Sequence, residues 1–88
     1  MIATAAEVQR HLQERLQATR LEVLDESSAH AGHAGNPEGA AFGTHLRVRI
    51  ASPQFAGVNR ITAHRLVYDA CQGFLERGLH ALAIEVIN

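Results

Sequence analysis

Residues 44–52 read "THLRVRIAS". Leu46, Val48 and Ile50 alternate with His45, Arg47 and Arg49. A period of two marks a β-strand with one buried face and one wet face. The wet face of this strand carries two arginines, and His45 is expected there as a surface residue.

Upstream, residues 27–43 read "SSAHAGHAGNPEGAAFG". Four glycines, a proline and several alanines make this a long loop between strands. A loop of that length in a small domain is more often functional or disordered than structural filler. Before it, "RLEVLDE" (residues 20–26) reads as a short strand with Leu21 and Val23 on one face and Glu22 and Leu24 on the other. Before that, Thr4 and Glu7 have the spacing of a capping box, in which the hydroxyl takes a backbone N–H and the carboxylate reaches back. Val8, Leu12 and Leu16 follow in one helical stripe, so a helix is expected over about residues 5–18.

Downstream, "PQFAGVNR" (residues 53–60) holds a turn or short helical piece, and Asn59 or Thr62 caps the next helix. Val67, Cys71, Phe74 and Leu75 form that helix's apolar stripe, and Gly78 suits the position that ends it. A final strand is expected over residues 80–87, with His80 at its mouth on the core side. The order is α-β-β-α-α-β: a single small α+β domain over residues 1–88. The first two strands pair antiparallel, and the last, after a helical crossover, lies parallel to the middle one. Helices then cover one face of a three-stranded mixed sheet. On the open face Glu22 and Glu85 are expected to neutralise Arg47 and Arg49.

Composition narrows the function classes. Apolar residues make up 47% and charged residues 19%, the balance of a globular domain. The net charge of −1 gives no general attraction to nucleic acid or membrane. No apolar run approaches a membrane span, and the first residues lack the pattern of a signal peptide, so a cytoplasmic location is expected. The one cysteine, Cys71, excludes a disulfide framework and a multi-cysteine zinc site. Its place in an apolar stripe reads as a small buried hydrophobe, and no third group supports a cysteine protease. Six histidines are the unusual feature. Zinc held by His30, His33, His64 and His80 is conceivable, but their spacing follows no established ligand pattern. His11, on the first helix, has no evident task. Gly32-His33-Ala34-Gly35 has the form of a GxxG loop, but it lies between two strands rather than two helices.

"LEVLDESSAH", "THLRVRIAS", "FAGVNRITAHRLVYDA" and "LHALAIEV" together resemble the BolA proteins, over about residues 21–86. The pairing of "HRLVY" with "HALAI" about a dozen residues later is the most specific part. The resemblance implies a class II KH-like fold without its GxxG loop. It implies a non-enzymatic adaptor that pairs with a monothiol glutaredoxin and shares a [2Fe-2S] cluster with it and with glutathione. The role would lie in iron–sulfur cluster assembly, trafficking or iron sensing. The metal ligands would be His80, which matches the family's histidine at the start of the last strand, and His30, which matches its second position in the loop after the first strand. His33, three residues on, is the alternative loop ligand. Two imidazoles on one iron give Rieske-like ligation, which raises the reduction potential.

The family usually has arginine where this chain has Ala63, which removes one cation beside His64. Arg60, His64 and Arg65 remain as a small basic cluster for a protein partner or, in the alternative reading, for DNA bound by a KH-like transcriptional regulator. A weak homodimer through the open sheet face is a third reading.

Overall fold

The computed structural model describes residues 3–27 and 44–87. Most of the long loop, with His30 and His33, lies outside the described residues. The elements are α1 (Ala5–Leu16), β1 (Arg20–Asp25), β2 (His45–Ala51), a 3₁₀ turn (Pro53–Phe55), α2 (Arg60–Ala70), α3 (Gln72–Glu76) and β3 (Ala81–Val86). The sheet order is β1-β2-β3, with β1 antiparallel and β3 parallel to β2, as expected from the chain order. Among the described residues no helix is long and apolar enough to cross a membrane.

Each element starts or stops for a local reason. Thr4 Oγ1 accepts the Glu7 N–H at 3.1 Å, which is half of the capping box. The other half does not form. The Glu7 carboxylate instead takes both terminal nitrogens of Arg77, tying α1 to the end of α3. A two-pronged, charge-assisted pair outcompetes a single neutral N–H. It also holds the Glu7 carboxyl below its usual range. α1 stops at Leu16, two residues short of the expected end, because Gln17 adopts a left-handed conformation (φ 51°). Asn59 caps α2 by accepting the Thr62 N–H at 2.8 Å.

The expected single helix after residue 60 breaks at Cys71, whose ψ of 4° interrupts the α-helical path between α2 and α3. The break does not expose the stripe, since Val67, Cys71 and Phe74 stay buried. α3 closes with a Schellman pattern: the Gly78 N–H reaches Leu75 O and the Leu79 N–H reaches Phe74 O. Gly78 has φ 114°, where a side chain is strained, and buried Leu79 and Phe74 form the apolar clasp.

The core lies between the helices and one sheet face. Val8, Leu12 and Leu16 from α1 meet Leu46, Val48 and Ile50 from β2 and Val67 from α2. His11 has a structural task after all. Its Nε2 donates to Ala70 O at 2.7 Å and its ring meets Phe74 edge-on, so it fastens α1 to the α2–α3 junction. On the opposite face the expected ion pairs form. Arg47 bonds Glu26 (3.1 Å) and Glu85 (3.2 Å), and Arg49 bonds Glu22 (3.3 Å) and lies 3.8 Å from Glu85.

Burial pushes the Cys71 thiol up to about 11, so the folded state disfavours the thiolate. A raised pKa contributes stability that is complete below the unfolded thiol's value and is lost as pH climbs toward the folded one. Urea unfolding between about pH 9 and pH 11 should therefore weaken the wild type more steeply than Cys71→Ala. Parallel pH profiles would place the thiol in solvent.

Candidate functional site

One end of the sheet gathers Ser27, Thr44, His45 and His80. Ser27 follows β1 and is fully buried. Its hydroxyl oxygen accepts the N–H of Thr44 at 2.9 Å and of His45 at 3.1 Å. The two ends of the long loop are thereby joined across 17 positions of sequence. The Ser27 N–H is held in turn by Asp25 Oδ1 at 2.9 Å, a short turn closed by a side chain. The Glu26 N–H donates to His45 O at 2.8 Å and extends the β1–β2 pairing by one bond.

Thr44 then carries the connection to β3. Its carbonyl oxygen accepts the N–H of His80 at 2.8 Å and of Ala81 at 3.0 Å. His80 stands one residue before β3 begins, between buried Leu79 and the strand. Its backbone is pinned on both sides while its side chain is exposed. This corrects the expected core-side position. Strand parity with Leu82 has no force on a residue whose backbone has not yet entered the pleat.

The largest correction concerns His45. It shares parity with Arg47 and Arg49, yet it is only 7% exposed. The alternation gave the right face but could not show that this end of the face is covered. Thr44 Oγ1 and His45 Nδ1 share a hydrogen bond of 3.0 Å. The His45 ring lies 5.6 Å, centroid to centroid, from the His80 ring, at an angle of 50°. Sequence reading missed the roles of Ser27, Thr44 and His45, because each depends on a contact across the loop rather than on a pattern along the chain.

The basic cluster lies elsewhere. Arg60 and His64 line a groove with Ile84, Glu85 and Val86, near the far end of β3. Four to six residues of extended chain separate that end from His80, roughly 13–20 Å at 3.3 Å per residue. That spacing along β3 sets His64 and His80 apart and does not favour them as ligands of one metal. Arg65 is exposed on the same helix. Among the described residues no group of three or more His, Cys, Asp or Glu side chains could hold a metal. His80 is thus one accessible nitrogen donor at the rim that bears both ends of the long loop. His30 and His33, within that loop, lie outside the described residues. One described donor falls short of the four protein ligands of a closed structural site.

The Ser27 hydroxyl serves two backbone donors at once, so its removal leaves both without this acceptor at a buried position. Ser27→Ala should cost about 2–6 kcal/mol, at roughly 1–3 kcal/mol for each of the two buried groups left unsatisfied. Urea denaturation would measure it, and a loss below about 0.5 kcal/mol would contradict the junction's importance.

Comparison with known proteins places this architecture. A sequence profile described as "BolA-like protein" matches residues 12–88. The chain is 42% identical over 78 residues to a Sinorhizobium protein described only as an uncharacterized protein in the cobS 5′ region, covering 89% of this chain and 83% of that one. It is 41% identical over 80 residues to chloroplastic BOLA1 of Arabidopsis thaliana, covering 91% of this chain but only 50% of that longer protein. The solved structure of Arabidopsis BolA1 superposes with a TM-score of 0.80 at 38% identity, over 98% of this chain and 92% of that one.

Proposed function

Because this chain belongs to the BolA-like family, we propose that it is a non-enzymatic adaptor that binds a monothiol glutaredoxin and helps hold a [2Fe-2S] cluster between the two proteins. His80 would be the main ligand from this chain, and His30 the second, with His33 as its alternative. Glutaredoxin and glutathione would supply the thiolates. The task would be assembly, delivery or sensing of iron–sulfur clusters, in the cytoplasm.

The observation that carries this reading is His80 itself: an exposed imidazole whose backbone is fixed by Thr44 and whose ring rests beside a buried one. A ligand held this way loses little freedom on binding, which favours affinity. The side chain is too exposed to serve the core, and the core does not use it. Its placement also accounts for the loop, because the Ser27–Thr44 junction sets both loop ends at the same rim. His45 orients rather than binds in this reading, much as residues outside a metal's ligand set fix its ligands. When bound, a cluster with imidazole among its ligands has a higher reduction potential than one held by cysteine alone.

The nucleic-acid alternative draws less support. Arg47 and Arg49 are already paired with carboxylates, so the sheet face adds nothing to this reading, which would rest on Arg60, His64 and Arg65 of α2 alone.

Reconstitution with a monothiol glutaredoxin, iron, sulfide and glutathione tests the reading. Visible absorption and circular dichroism should show a mixed-complex spectrum distinct from that of glutaredoxin alone. His80→Ala should abolish it, and His30→Ala beside His33→Ala should identify the loop ligand. A glutaredoxin spectrum unchanged by the wild-type chain would contradict the adaptor role.

A further inference from the structure

β3 is an edge strand, and among the described residues no strand lies along its outer side. In a parallel pair, alternate residues turn both N–H and C=O toward the neighbouring strand and the others turn both away. Ala81 donates to Thr44 O and Ile87 to Ile50 O, so Ala81, Ala83, Glu85 and Ile87 serve β2. Leu82, Ile84 and Val86 therefore present their backbone groups outward. The Leu82 carbonyl accepts from the Tyr68 hydroxyl at 3.1 Å. Past that contact, Ile84 and Val86 line the groove whose other wall is Arg60 and His64 of α2.

Protein edges are normally blunted by lysine, proline, a bulge or a cover. The β3 sequence "ALAIEV" has neither lysine nor proline. Its single charge, Glu85, faces Arg47 and Arg49 across the open sheet face and does not guard the edge.

The facing wall is cationic. Arg60 opens α2, and the first turn of that helix has no acidic residue. A positive side chain at the positive end of a helix dipole is unfavourably placed, and an incoming carboxylate relieves this. Among the described residues Arg60, His64 and Arg65 have no ion-pair partner. Ile61, beside them, is 65% exposed.

We propose that the outer edge of β3 receives an extended acidic segment of a partner protein as a fourth strand. The segment's backbone pairs with Ile84 and Val86, and a carboxylate on its helix-facing side meets Arg60 and His64. A second copy of this chain fits less well, because edge-to-edge pairing would set one cationic α2 beside another. A nucleic acid lacks the alternating N–H and C=O groups that complement this edge. The site lies at the opposite end of β3 from His80 and does not depend on the cluster reading.

The probe is a fluorescein-labelled peptide of alternating glutamate and valine, followed by anisotropy on the wild-type chain. Two further copies carry N-methyl groups on all the glutamate nitrogens or on all the valine nitrogens. Only one set of nitrogens faces β3, so one methylated copy should bind at least tenfold more weakly and the other should bind as the parent does. Arg60→Glu should also weaken binding at least tenfold, and it places an acid at the positive end of the helix dipole, where the fold tolerates it. Full binding by both methylated copies, or no binding by the parent peptide, would overturn strand addition. So would tighter binding of single-stranded oligothymidylate at the same groove, or a stable homodimer by solution mass that the peptide does not dissociate.

Discussion

A single buried hydroxyl, that of Ser27, sets the geometry on which the candidate site depends. It accepts two backbone N–H groups from the start of β2, while the carbonyl of Thr44 accepts two from the start of β3. Three separate stretches of chain are thereby joined at one rim. Neutral hydrogen bonds contribute only about 1 kcal/mol each, but a buried donor left unpaired costs more, so such a junction resists opening. His80 inherits its position from that junction. The opposite end of the sheet has a simpler closure, in which the Ser52 hydroxyl donates to Leu16 O and the Thr19 N–H to Ala51 O.

The molecule separates its tasks by face and by end. The helical side is a packed core fastened by His11 and by the Glu7–Arg77 pair. The open face carries a ladder of four ion pairs, partly exposed and worth little individually. These pairs neutralise the sheet arginines, whereas Arg60 and Arg65 of α2 have no such pair among the described residues. The exposed imidazole and the basic groove thus stand at opposite ends of one strand.

Much of the fold was legible in the sequence because burial imposes periodicity. The alternation in "THLRVRIAS" identified β2, the stripe from Val8 to Leu16 identified α1, and the order of elements gave the strand directions. Cys71 and Gly78 were also readable from position. The departures share one cause: contacts distant in sequence override local pattern. Arg77 draws Glu7 away from its capping box. His45, which alternation alone places in water, is buried and shares a hydrogen bond with Thr44. His80 was noticed because an imidazole is unexpected before an apolar strand, but its exposure follows from β3 beginning one residue later. Ser27 and Thr44 carry no sequence signal, since serine and threonine beside a loop are commonplace.

The central claim is that His80 donates a ring nitrogen to a metal shared with a partner. Pulsed electron paramagnetic resonance tests it directly. The chain would carry ¹⁵N only in its histidines, and the reconstituted complex with unlabelled glutaredoxin would be examined after one-electron reduction. Strong ¹⁵N hyperfine coupling to the cluster is expected, with the His80 contribution absent from the His80→Ala complex. A reduced cluster in the wild-type complex with no ¹⁵N coupling, or with coupling unchanged by His80→Ala, would contradict it.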